Sequence, residues 1–169
     1  MVKHFGAAPE RSTSTAERVG AIREVVAKSA GSPYRGRPIF KQRCASCHIL
    51  FHSGGKIGPD LTDYQRDDLE TMLSSIVDPD AEIREGYEGF SVKTNDDRFL
   101  TGFLTDRGAN TISLRGFDGS DLSLPRAQIA EMTPLGRSLM PEGLLDDLSD
   151  GELRGLFAYL RISQPFLKD

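Results

Sequence analysis

Cys44-Ala45-Ser46-Cys47-His48 constrains this chain more than any other stretch, because it holds both of its cysteines and one of its three histidines. With both thiols in one short motif, none is left for a structural disulfide elsewhere. A C-x-x-C spacing alone fits three chemistries. A thioredoxin-like redox pair sits in a βαβ context, whereas the residues ahead of Cys44 read as a helix with no strand before it. A tetrahedral zinc site needs further Cys or His ligands, and only His4 and His52 remain. The histidine directly after the second cysteine fits the third chemistry, covalent attachment of a c-type haem. At a helix end the two thiols reach the two vinyl groups while the imidazole projects under the iron. The motif therefore predicts one haem c, anchored by Cys44 and Cys47 and ligated by His48.

Gly54-Gly55-Lys56-Ile57-Gly58-Pro59-Asp60-Leu61 follows as a loop dense in turn residues. A ligating histidine normally donates its second ring N–H to a carbonyl or carboxylate, which fixes the ring and tunes its basicity. The tight Gly58-Pro59 turn lies next along the chain and makes the Pro59 carbonyl the expected acceptor. For the second position on the iron the chain offers Met72, Met132 and Met140. Met72 falls on the apolar face of a helix and reads as core; Met132 ends a β-rich stretch, where packing is the simpler role. Met140 lies in Ser138-Leu139-Met140-Pro141, an irregular segment ahead of the last helix, and is the expected partner of His48. A Met/His pair raises the reduction potential. His52 follows His48 too closely to pass to the other side of a haem and reads as an exposed loop residue.

The spacing of apolar residues predicts the elements around these sites. Residues 1–13 read as a polar, irregular tail. Ser14 and Glu17 have capping-box spacing, and Val19, Ile22, Val25 and Val26 form a helical stripe that Gly31 stops. That helix is either a docking or linking element or an extra helix packed on the core. The next helix is expected from about Pro38 to Cys47, with Gly36, Phe40 and Cys44 sharing a face. Leu69, Met72, Leu73 and Ile76 mark a third helix ending before Pro79. Ser149 with Glu152 opens a last one, carrying Leu153, Leu156, Phe157 and Leu160. Between them, 87–94, 98–105, 110–116 and 120–124 are rich in β-branched and aromatic residues and are separated by turn signals. Residues 86–133 accordingly read as a small antiparallel β insertion.

Composition narrows the function. A chain of 169 residues suffices for one domain, or for a small domain carrying an insertion, and 38% apolar with 27% charged residues is a globular balance. No apolar run approaches the roughly 20 residues of a membrane span. With 21 basic against 25 acidic residues the formal charge is −4, so nucleic acid is not an expected partner. Residues Met1 to Glu10 lack the apolar stretch of a secretory signal. Because c-type attachment is normally completed outside the cytoplasm, the expectation is a periplasmic or otherwise exported protein whose signal has been removed, or a domain of a longer exported chain.

Gly36-x-x-x-Phe40-x-x-x-Cys44, the Cys44/Cys47/His48 motif, Gly58-Pro59-Asp60-Leu61, Asp78-Pro79 with Ile83, Ser138-Leu139-Met140-Pro141-Glu142-Gly143-Leu144 and the closing Tyr159-Leu160 occur in a telling order. The stretch from Gly36 to Leu160 resembles the c-type haem-binding domain at the C-terminus of many large exported planctomycete and verrucomicrobial proteins. The resemblance implies a monohaem cytochrome c with a β insertion ahead of the methionine loop, which accounts for the long separation of His48 and Met140. It also implies an electron donor, since such domains are often fused to, or work beside, a propeller-type sugar or alcohol dehydrogenase. Ile49-Leu50-Phe51-His52-Ser53 departs from the pattern in being more apolar, which implies a covered haem edge or a contact surface.

The expected fold is thus mainly α. A cytochrome c-like helical domain at 34–169, with a small antiparallel β subdomain inserted at 86–133, follows an N-terminal extension or docking helix at 1–33. Phe40, Leu61, Leu156 and Tyr159 are expected around the porphyrin or at the helix crossing. The expected role is one-electron transfer with a redox partner protein, without bond chemistry. The alternatives are a peroxidase-like haem enzyme, or a redox or gas sensor in which Met140 is displaced. The oligomeric state stays open.

Overall fold

A computed structural model describes residues 11–116 and 118–166. Among these residues the chain runs α1 (Arg11–Lys28), α2 (Pro33–Arg43), β1 (Ile49–Leu50), β2 (Ser53–Gly54), α3 (Leu69–Val77), β3 (Gly89–Thr94), β4 (Phe99–Arg107), β5 (Thr111–Arg115), β6 (Asp121–Pro125), β7 (Ile129–Pro134) and α4 (Asp150–Leu160). Residues 1–10 of the expected tail, with His4, lie outside the described residues. Arg11 to Thr13, read as part of that tail, already belong to α1, so Ser14 sits inside the helix and does not cap it.

Each helix near the motif has a local cause. Ser32 precedes α2, Pro33 supplies the fixed φ of a first-turn residue, and the Ser32 carbonyl accepts from the Arg35 and Gly36 N–H groups at 3.1 Å each. The helix starts there and not near Pro38, which lies exposed inside it and, lacking an N–H, cannot bond the Tyr34 carbonyl. Lys41 and Arg43 occupy its last turn, where the helix dipole favours cations. Asp68 caps α3 by accepting from the Thr71 N–H, and Pro79 keeps Asp78 out of the helical region at its end. At α4, the Ser149–Glu152 capping box forms in both directions.

Helices α2 and α4 cross at two glycines. A Cβ on Gly36 would collide with the Gly155 carbonyl oxygen, so only glycine permits this approach. Phe40 and Tyr159 meet beside it with ring centroids 5.5 Å apart. Met72, Leu73 and Val77 of α3, Leu156 and Phe157 of α4 and Val19 of α1 belong to the same buried cluster. Each such side chain contributes about 1.5–3 kcal/mol on burial. The first helix packs on this core, against α3 and α4.

Strands β3 to β7 form one antiparallel sheet in the order β6-β5-β4-β3-β7. Its apolar side is a second, separate cluster of Phe90, Val92, Leu104, Ile112, Leu114 and Leu124. The chain is therefore mixed α and β, and the expectation of a mainly α, cytochrome c-like helical fold is wrong. One reason is β7, absent from the sequence reading. A bulge between Lys93 and Thr94 shifts the register so that Met132 faces Val92 while Ile129 faces Thr94. The half-buried residues of β7 then stand three apart and break the alternation that marks a strand. The other reason is that the sheet has five strands and a core of its own.

Candidate functional site

The chain leaves α2 in tight turns that gather the motif. Cys44 N–H donates to the Phe40 carbonyl at 2.9 Å, and Cys47 and His48 N–H groups donate to the Cys44 carbonyl at 3.1 and 2.9 Å. The glycine-rich loop then folds back along the same stretch. Gly55 donates to Ala45, Gly58 to Cys47 and Leu61 to Ile49, each N–O distance being 2.8 Å. This approach leaves no room for side chains. A Cβ on Gly55 would strike the Ser46 carbonyl, and one on Gly58 would lie 2.6 Å from Cε1 of the His48 ring.

The half-buried His48 imidazole is held by that loop. Its Nδ1 lies 2.9 Å from the Pro59 carbonyl oxygen. A carbonyl only accepts, so Nδ1 is the donor in this contact, which leaves Nε2 as the ring nitrogen not engaged by Pro59. This is the contact expected from the Gly58-Pro59 turn.

Cys44 and Cys47 are both free thiols at intermediate burial. Burial, with a smaller contribution from Cys47, pushes the Cys44 thiol up to about 11, and the neighbouring Arg43 only partly opposes this. Cys44 also caps the C-terminal end of α2, where the helix dipole disfavours an anion. Reactive C-x-x-C pairs do the opposite, with a first thiol of lowered pKa in an electropositive setting. Among the described residues no group of three His, Cys, Asp or Glu is placed to hold a metal ion.

The apolar residues divide. Phe40, Leu156 and Tyr159 are buried at the α2–α4 crossing, which is one of the two places expected for them. Leu61 is half-buried against the same cluster, directly after the Pro59 turn. Beside the motif, β1 and β2 form a two-residue hairpin whose central residues, Phe51 and His52, have φ of 53° and 68°. Left-handed conformations in such residues cost about 1–2 kcal/mol each. Phe51 is held there by its N–H bond to Thr62 Oγ1 at 2.9 Å and by the Arg66 guanidinium 4.9 Å over its ring. His52 is exposed.

Met72 is buried in the helical core and Met132 packs half-buried on the sheet. Met140 is half-buried on the loop between β7 and α4, lining an open cleft of about 390 Å³ with Asp80, Arg137, Ser138, Leu139, Pro141 and Glu142. The structure thus brings Cys44, Cys47, His48, Pro59 and Leu61 into one cluster, while none of them lines the cleft of Met140.

Two arginines escaped the sequence reading. Arg66 donates to the carbonyls of Leu160, Ile162 and Thr62 at 3.0, 2.8 and 3.0 Å, tying the end of α4 to the loop after the motif. Arg43, the residue before Cys44, donates to the Leu144 carbonyl at 2.9 Å and to both Asp147 carboxylate oxygens at 2.7 and 2.8 Å. Its only sequence signal is a basic residue in a last helical turn. Neither a family model nor a curated protein matches this chain.

Proposed function

We propose that this chain carries one haem c, bonded through Cys44 and Cys47 and ligated by His48, and that it works as a one-electron carrier. The observation that carries this reading is His48 itself. Its Nδ1–H is engaged by Pro59, Gly58 lies so close to the ring that a Cβ would clash with it, and its Nε2 belongs to a residue that directly follows two thiols outside any disulfide. That donor set suits a haem, whose porphyrin supplies the nitrogen ligands that the protein lacks, and it suits neither a zinc site nor a redox dithiol. When bound, the haem supplies a one-electron iron couple.

The protein's part is to hold and orient. The Pro59 carbonyl fixes the imidazole tautomer and makes Nε2 a better donor. Leu61 and the helical core beside the motif give that side a low dielectric, which together with the ligands sets the potential. Met140 is the proposed second ligand. It is the methionine on an irregular loop lining a cleft, whereas Met72 and Met132 are occupied in packing. The proposed partner is a protein electron donor, of which a propeller-type sugar or alcohol dehydrogenase is the class the resemblance suggests. The proposed location is the periplasm or another exported compartment. Among the described residues no helix is long and apolar enough to cross a membrane.

The test is the pyridine haemochrome spectrum of the protein made in a host that attaches c-type haem, followed by extraction with acidified organic solvent. The haem should stay with the wild-type protein and leave a Cys44→Ala, Cys47→Ala double variant. A wild-type protein without covalent haem, or a double variant that retains it through extraction, rules the reading out.

A further inference from the structure

We infer that Arg43 is a positioning residue that sets where the Met140 loop stands relative to the cysteine motif; this rests on the function proposed above. Arg43 directly precedes Cys44, so its backbone moves with the covalent anchor. Its guanidinium grips the loop after Met140 at two points, the Leu144 carbonyl at 2.9 Å and the Asp147 carboxylate at 2.7 and 2.8 Å. A bidentate guanidinium–carboxylate pair fixes direction as well as distance, and the third bond, to a backbone carbonyl, fixes the chain itself. The other side of the loop is fixed independently. Asp80, just past α3, accepts from the Ser138 N–H at 2.6 Å, and the Ser138 hydroxyl accepts from the Met140 N–H at 3.1 Å. Met140 is thus suspended between two anchors, one after α3 and one at the end of α2.

The Arg43 anchor is the one attached to the motif. Arg43 itself is well covered, its side chain 22% exposed, while Asp147 is 70% exposed. The loop keeps further supports of its own, the buried Leu145 and an Arg18–Asp146 ion pair to α1. Loss of Arg43 therefore loosens the loop without removing it from the core.

The variants are Arg43→Ala, Arg43→Lys and Asp147→Asn in the haem-loaded protein. The readouts are the sulfur-to-ferric-iron charge-transfer band, the reduction potential, and the affinity for added imidazole or cyanide. Arg43→Ala should keep covalent haem, weaken the band, lower the potential and bind the added ligand roughly tenfold more tightly, the scale set by one charge-assisted hydrogen-bond group. Arg43→Lys should restore part of this, because an ammonium can meet Asp147 but cannot span carboxylate and carbonyl together. Asp147→Asn changes an exposed side chain and serves even if Arg43→Ala does not accumulate; it should shift each readout in the same direction by less. The inference is overturned if folded Arg43→Ala, or in its absence Asp147→Asn, keeps the wild-type band and ligand affinity. Covalent haem without a sulfur band in the wild type would remove Met140 as ligand, and the inference with it, but leave attachment standing. Absence of covalent haem would instead sink the function itself.

Discussion

The helical region and the sheet are held together in different ways. Around the motif, glycine backbone lies in close contact with what it faces: Gly36 with the Gly155 backbone, Gly55 with the Ser46 backbone, Gly58 with the His48 ring. Arginines reach across these contacts to distant carbonyls. In the sheet, alternate side chains of β3, β4, β5 and β6 meet in an apolar layer, with the strand ladder supplying the backbone bonds. Close backbone contact places atoms accurately but tolerates no added atom. A side-chain core loses energy when trimmed, but its ladder keeps the register. A cofactor cluster belongs with the first kind of construction, and no proposed ligand lies in the second.

The largest break in this comparison is to remove one side of it. Strands β3 and β7 pair directly, with Phe90 opposite Pro134 and the Leu135 N–H on the Gly89 carbonyl at 2.8 Å. The chain therefore enters and leaves the sheet at one place, and a two-residue turn can bridge Phe90 to Pro134 in place of residues 91–133. The shortened protein should keep its helical circular dichroism and, under the proposed attachment, still bind haem covalently. Loss of helical signal would mean that the sheet supports the helices, and the two regions would no longer be separable.

How far each region is legible in the sequence follows from the range of the forces that shape it. Local chemistry is legible: the Ser149–Glu152 box, the α3 stripe stopped by Pro79, and the Pro59 carbonyl beneath His48 all arise within a dozen residues. Long-range chemistry is not. Arg43 and Asp147 stand 104 positions apart, and nothing beside either residue announces the pair. The turn at Phe51 and His52 lacks the Asn or Gly that normally marks two left-handed residues, because Thr62 and Arg66 hold it from outside. The fold class failed for a related reason. Helical periodicity is strong in α3 and α4, whereas β7 carries an extra residue where the register shifts against Lys93 and Thr94 and shows no alternation of its own.

A smaller perturbation asks whether the two cores unfold together. Leu73 of α3 and Ile112 of β5 are both fully buried, one in each cluster. Truncating either to alanine should cost about 2–5 kcal/mol. If the regions are energetically distinct, Leu73→Ala should lower native-state hydrogen-exchange protection in α2, α3 and α4 and leave β4 and β5 unchanged, and Ile112→Ala should do the reverse. Equal loss of protection across the molecule from both variants would make the chain one cooperative unit.

The smallest effect concerns exposed carboxylates, which differ in kind between the regions. Asp147 is held below the ordinary carboxylate range chiefly by its bond from Arg43, an ion pair. Asp118, in the turn before β6, is lowered by the Ser120 hydroxyl and backbone N–H, which carry no net charge. For both, the folded state binds the proton less readily than the unfolded one. Their stabilisation is therefore present above the unfolded pKa and lost as pH falls through the folded one, in the window below about pH 4. Asp147→Asn and Asp118→Asn should each flatten the acid slope of the thermal midpoint, the first in the helical transition and the second in that of the sheet. Salt separates them further. Screening weakens an exposed ion pair but leaves a neutral hydroxyl contact almost untouched. Raising the salt concentration should therefore shrink the difference between wild type and Asp147→Asn while preserving that between wild type and Asp118→Asn. An equal response of both differences to salt would show that Arg43 holds Asp147 by hydrogen-bond geometry alone, and the contrast in kind between the two regions would not extend to their surfaces.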